Sequence, residues 1–158
     1  MKRIRYENGK IDSIDIKLID ALIKNAQISN AELGRLTGLS APTVAERVKR
    51  LEEAGIIEGY SANINPHALG LPISAWIRIR PIPGQMRAGL KIVTSLPEII
   101  SCDRVTGEDC FVARAYVISI EDLERVIDQI IPHAMTNTSI IQSSPVKRGL
   151  PPIKDIVK

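Results

Sequence analysis

The feature that most constrains this chain of 158 residues is a change of period. Up to about residue 58 its apolar residues recur at the i, i+3, i+4 spacing of a helix face. Beyond about residue 71 they mainly alternate, the spacing of a strand with one buried side. The stretch NINPHALGLP, Asn63 to Pro72, marks the transition. The expectation is an α+β chain in two domains, residues 1–60 and 71–158, joined by a linker at 61–70.

In the first part, Ile11, Ile14, Leu18, Ala21 and Leu22 share one helix face, and Ile16, Ile19 and Ile23 form a second stripe roughly opposite. The first stripe is expected to line a small core, the second to meet another element or a second copy of the chain. Ser29 with Glu32 reads as a capping box that opens a helix of about two turns, with Leu33 and Leu36 inward and Gly38 at its end. Ser40 reads as the next N-cap, Pro42 is tolerated in the first turn, and Leu39 can staple against Val44. That third helix runs to about Ala54, where Gly55 stops it. After it, Ile56, Ile57, Tyr60, Ala62 and Ile64 resemble a short extended segment.

Two short helices joined by the turn Thr37 to Ser40, with another helix ahead of them, make a helix-turn-helix domain. On a wheel of roughly 100° per residue, Val44, Val48 and Leu51 of the third helix face the core, and Thr43, Glu46, Arg47 and Arg50 face away. With Ser40 they form the candidate DNA-binding face. Ser40 and Thr43 lie at the positive end of the helix, suited to phosphate, and Arg47 and Arg50 reach base edges or phosphates. Glu46 repels phosphate, so it either accepts from a base or orients the arginines. Lys2, Arg3 and Arg5 are candidates for backbone or minor-groove contacts. The competing reading is a solvated helix with pairs such as Lys49 and Glu53; the short capped helix and tight turn ahead of it favour DNA.

The second part reads as strand Leu71 to Arg80, helix Gln85 to Ser95, strand Ile99 to Thr106 and strand Phe111 to Ile118. Helix Ile120 to Ile131 and a last strand at about Thr138 to Lys147 follow. This is the β-α-β-β-α-β order of a ferredoxin-like unit, whose two helices leave one sheet face uncovered. Ala75, Ile77 and Ile79 suit the covered side; Ser74, Trp76, Arg78 and Arg80 fall on the other, with Arg114 and Tyr116. The only Trp of the chain mixed with Arg has the composition of a protein interface, so Trp76, Arg78 and Tyr116 are read as a dimer face. Between the central strands lies the turn Val105 to Cys110. Gly107 and Asp109 suit an ordinary hairpin; the polar run Thr136, Asn137, Thr138 and Ser139, read as lying just before the last strand, makes a small polar pocket with the turn the alternative.

Composition excludes several classes. With 44% apolar and 25% charged residues the chain is that of a soluble globular protein, and no run approaches the roughly 18 to 20 apolar residues of a membrane span. No apolar signal core follows MKRIRYENGK, so a cytoplasmic location is expected. The net charge of +3 is spread evenly, ten basic residues against nine acidic before residue 65 and eleven against nine after it. A nucleic-acid argument must therefore rest on local placement. Cys102 and Cys110 have no partners at metal-ligand spacing and read as buried thiols, and His67 and His133 stand apart from any nucleophile or carboxylate. With no phosphate-binding loop, dinucleotide fingerprint or nucleophile elbow, neither enzyme, cofactor nor metal is expected.

These residues also carry a resemblance. The segments IDIKLIDALIKNAQISNAELGRLTGLS, SAPTVAERVKRLEEAGIIEGYSANINPHALG, VTGEDCFV and VKRGLPPI are similar to the Lrp/AsnC (leucine-responsive/asparagine-C, feast/famine) family of transcriptional regulators over nearly the whole chain. Ser40, Val44, Arg47, Leu51, Gly55, Ile56 and Tyr60 sit where that family's pattern expects them. The resemblance implies double-stranded DNA as a partner, pairing of the C-terminal sheets into dimers and further assembly into octamers or discs. It also implies an amino-acid effector held at a turn that corresponds to Gly107, Glu108 and Asp109, with Thr106 and residues 136–139 beside it. Cys110 and Ser143 depart from the residues common in the family. An effector-independent DNA-organising protein fits the same residues. Sirohaem decarboxylases look like the family in both domains, but their histidine-rich segment has no counterpart between Ser101 and Asp109.

Overall fold

The structure, a computed structural model, describes residues 11–146 and Pro152. The tail with Lys2, Arg3 and Arg5 lies outside the described residues. The chain divides into two compact units, one running to Asn63 and one spanning Ile64–Pro145.

The first unit holds three helices, α1 (Ser13–Lys24), α2 (Asn30–Thr37) and α3 (Ala41–Glu53). Each start is set by a side chain that satisfies backbone N–H groups the helix leaves open. Asp12 Oδ1 accepts from the N–H of Ile14 at 2.9 Å and of Asp15 at 2.8 Å, and Asp15 returns a bond to the Asp12 N–H. Ser29 and Glu32 form the expected reciprocal box on α2, and Ser40 caps α3. Gly38 ends α2 in the left-handed region. Leu18, Leu33 and Val44 form the core cluster, with Ile14, Ala21, Leu22, Ile28, Leu39 and Val48 packed around it.

Leu36, expected inward, is 61% exposed. The buried residues of α2 are Leu33 and Gly34, and Leu36 lies about 110° round the helix from the middle of that arc. Gly34 matters for another reason: a Cβ there would stand 2.6 Å from the Leu39 carbonyl oxygen, so α2 meets the turn at backbone contact. The segment from Ile56 to Ile64, read as extended, forms no strand ladder. Its Tyr60 hydroxyl instead donates to Glu52 Oε1 at 2.7 Å.

The second unit has the expected order: β1 (Ile73–Pro81), α4 (Met86–Ser95), β2 (Ile99–Arg104), β3 (Phe111–Val117), α5 (Ile120–Ile130) and β4 (Ala134–Ile140). The strands lie in the order β2-β3-β1-β4, every neighbouring pair antiparallel. Ala75, Ile77 and Ile79 of β1 and Phe111, Ala113, Ala115 and Val117 of β3 are buried against Val93, Leu123, Val126 and Ile130. Both helices of this unit pack on that one face.

The last strand is a correction. Expected at about Thr138 to Lys147, it begins at Ala134 and ends at Ile140. His133 closes the end of α5 through its N–H to the Ile130 carbonyl and accepts from the Ile82 N–H, so pairing starts at once. A strand at the sheet edge needs little apolar surface, and the β-branched threonines of MTNTS suit an extended backbone, so the ladder takes in the polar residues ahead of Thr138 that apolar alternation leaves outside a strand.

Candidate nucleic-acid interface and effector turn

Helix α3 presents Ser40, Thr43 and Glu46 to solvent together. The Ser40 Oγ accepts from the Thr43 N–H at 3.3 Å and lies 2.8 Å from Thr43 Oγ1, so both hydroxyls stand at the helix start, where the backbone N–H groups favour an anion. Arg50 is half-exposed and Lys49 lies 3.7 Å from Glu53.

Arg47 is placed differently from expectation. Its side chain is only 24% exposed, and Nη1 donates at 2.8 Å both to Asp12 Oδ2 and to Asp15 Oδ1 on α1. Arg50 Nη2 lies 3.5 Å from the other Asp15 oxygen. At about 100° per residue Arg47 lies roughly 70° from the middle of the Val44, Val48 and Leu51 arc, on the flank beside Leu51 and not opposite the core, and a carboxylate out of water draws a cation towards it. Asp12 and Asp15 thus bridge to Arg47 and lift its guanidinium above the ordinary value. Burial would raise the Asp12 carboxyl, but the Asp15 N–H and the Arg47 guanidinium outweigh it and hold the group below the ordinary carboxylate value. Asp15 was missed as a site residue; its signal is that it falls three residues before Leu18, on the core stripe, where a carboxylate needs a partner.

At the end of the sheet, the turn from Val105 to Cys110 is closed by the Val105 N–H to the Cys110 carbonyl at 2.9 Å and tied to β1 by the Cys110 N–H to the Ile79 carbonyl at 3.0 Å. Gly107 has φ of 111°, which leaves it in a region side chains disfavour. Thr106, Gly107 and Glu108 are exposed and Asp109 half-buried. Arg80 at the end of β1, not foreseen at this site, bonds Glu108 and lies 3.7 Å from Asp109 Oδ1. The register would have indicated it, because Arg80 follows Arg78 by two on one face and ends the strand beside the turn.

The run 136–139 does not form one wall with this turn. Thr136 and Thr138 pair with Ile79 and Ile77 and so lie on the helix-covered side, whereas Asn137 and Ser139 pair with Arg78 and Trp76 on the open side. There Arg78 Nη2 donates to Asn137 Oδ1 at 3.1 Å and lies 3.5 Å from Ser139 Oγ. The open face carries Trp76, Arg78 and Tyr116 with Arg114, whose guanidinium carbon sits 5.6 Å from the Trp76 ring centre and 5.2 Å from that of Tyr116. Among the described residues no cluster of His, Cys, Asp or Glu is arranged to hold a metal, and no helix is long and apolar enough to cross a membrane. Both cysteines are free and half-buried, and burial pushes the Cys102 thiol up.

With this geometry in hand, residues 11–58 match a family model for winged helix-turn-helix DNA-binding domains, and residues 74–151 match the Lrp/AsnC ligand binding domain. The chain belongs to the Lrp/AsnC family. Similar members include the HTH-type transcriptional regulator LrpC of Bacillus subtilis, 35% identical over 134 residues that cover 85% of this chain and 93% of that protein. Another is Ptr1 of Methanocaldococcus jannaschii, 38% identical over 80% of this chain and 86% of its own. Among solved structures, that of B. subtilis LrpC aligns with a TM-score of 0.83 at 34% identity, over 89% of this chain and all of that one. A feast or famine regulatory protein from M. tuberculosis complexed with L-methionine aligns with 0.80 at 33% identity, over 87% and 96% of the two chains. This Lrp/AsnC protein is thus a transcriptional regulator with a DNA-binding helix-turn-helix and a ligand-binding domain; its relatives bear the names of regulators, not of enzymes.

Proposed function

We propose that this protein is a sequence-specific, amino-acid-responsive regulator that acts as a dimer or higher oligomer on double-stranded DNA in the cytoplasm. The observation that carries the reading is the exposed start of α3, where Ser40, Thr43 and Glu46 stand together on a capped helix behind a tight turn. Ser40 and Thr43 contact phosphate and fix the register, while Glu46 accepts from a base edge. Self-association through the open sheet face, with Trp76, Arg114 and Tyr116 as its stacked centre, brings two copies of α3 to half-sites roughly 34 Å apart. The amino acid binds at the turn: backbone N–H groups beside Gly107 and the Arg80 guanidinium hold its carboxylate, and Asp109 accepts from its ammonium group.

The deciding experiment titrates the protein onto DNA from upstream of its own gene, with and without each amino acid, while assembly size is recorded. Specific binding that one amino acid shifts, and that Asp109→Ala no longer lets it shift, is expected. A second reading, binding without an effector, is supported by Arg80, which already pairs with the acids of the turn. It predicts the same affinity and assembly size under every amino acid.

A further inference from the structure

We infer that Arg47 is a positioning residue that sets the angle at which α3 meets DNA, and that Asp15 and Asp12 are its fixed anchor on α1. The inference rests on the DNA-binding reading of α3 and deepens it.

Asp15 is the single charged residue that is fully buried among those described, at 0% exposure. A carboxylate in that position must be paired, and its oxygens are supplied by Arg47 Nη1 at 2.8 Å, the Asp12 N–H at 3.2 Å and Arg50 Nη2 at 3.5 Å. Arg47 Nη1 also bonds Asp12 Oδ2, and Asp12 is the N-cap of α1. One guanidinium therefore ties the start of α1 to the middle of α3. For Arg47 to reach a phosphate it would have to leave two carboxylates, one of them buried, and removal of one partner from a buried pair costs more than an exposed charge contact returns. The four groups Asp12, Asp15, Arg47 and Arg50 also sum to no net charge, so this cluster adds little to the long-range attraction of DNA.

What the cluster does supply is direction. Val44 and Leu51 seat α3 on the core, yet apolar contact is non-directional and permits a helix to roll. Arg47, on the flank of that seat, meets two oxygens at fixed points on another helix, which opposes rolling. The roll of α3 decides where Thr43 and Glu46 point, so the pairing acts on sequence discrimination rather than on charge.

The test uses the full chain and two duplexes, DNA from upstream of its own gene and a random sequence of equal length, each titrated over a range of salt. Arg47→Met keeps much of the stem but drops the charge. The expected result is a loss of about tenfold in affinity for the upstream duplex, the size of one misread base pair, with random-duplex affinity and both salt slopes unchanged. A slope that falls by about 0.9 on both duplexes would make Arg47 a phosphate contact and overturn the inference. Thermal unfolding supplies a second arm that needs no DNA: Asp15→Asn and Arg47→Met should each lower the transition, and the double variant should fall well short of their sum. Additive effects would show that the two do not act together. Should Arg47→Met not fold, Asp12→Asn takes its place in the titration. Lost upstream-duplex affinity at constant slope supports the anchor, and gained affinity with a steeper slope refutes it. If the unaltered protein binds neither duplex, the proposed function fails, and the unfolding arm alone decides the pairing.

Discussion

Among the described residues, the core cluster of the helical unit holds three buried residues, Leu18, Leu33 and Val44, with Ile19 and Leu51 buried besides, whereas the cluster in the sheet unit holds thirteen. With so little apolar surface to bury, the helical unit depends on directional contacts: the Asp12 and Ser29 capping boxes, the Ser40 cap, the backbone approach at Gly34 and the Arg47 bridge. The sheet unit holds itself together mainly by a continuous apolar layer between one face of the sheet and two helices. The contrast suits the two tasks proposed above, because a domain that reads DNA must hold a few side chains at set angles, and a layer packed on one side leaves the other sheet face clear of the unit's own helices.

Substitutions can sharpen or break this comparison. The largest effect is expected for Ile77→Ala, which opens a cavity in the centre of the sheet layer and costs about 4 kcal/mol, read as lost amide protection in β1, β3 and β4 by hydrogen exchange. An equal loss of protection across α1 to α3 would mean that the two units unfold as one block and that the contrast is misplaced. Next comes Gly34→Ala, which drives a methyl group into the Leu39 carbonyl and should cost about 2 kcal/mol in the thermal transition of the helical unit. A neutral result would show that α2 can shift away and that its contact is not specific. Ser29→Ala removes a cap and should cost about 1 kcal/mol by chemical denaturation, with Ser29→Asp restoring most of it.

The smallest effect concerns pH. Burial and the bond to Glu52 push the Tyr60 phenol up to about 12. A raised value means the folded state holds that proton more tightly, so this contribution to stability is complete below pH about 10 and is lost as pH rises through about 12. In an ultraviolet titration of the three tyrosines, one phenolate should form late, and Tyr60→Phe should remove that late step. Loss of a step near pH 10 instead of near pH 12 in Tyr60→Phe would deny the bond.

How far the chain was legible follows from the same contrast. The caps Ser29 and Ser40, the stop at Gly38 and the two faces of β1 could be read directly, because each depends on residues close in sequence and on a fixed period. Arg47 could not, since its partners stand 35 and 32 positions away and its place on the wheel is a flank between the core and the outer face. Edge strand β4 was displaced because polar alternation looks like a loop when only one side of the ladder is apolar. At the turn, Gly107 to Asp109 announced themselves by residue type, while Arg80 became part of the site only through strand register.

The Tyr60 to Glu52 bond also has a mechanical meaning. The backbone N–H groups of Ile56 and Ile57 already hold the chain to the Leu51 carbonyl, and the Tyr60 bond to Glu52 carries that hold three residues further, to Tyr60. At about 3.5 Å per extended residue, those three positions take roughly 10 Å from the greatest length an extended segment there could reach. For the dimer proposed above, that shorter reach narrows the range of half-site spacings that its two DNA-reading helices can span.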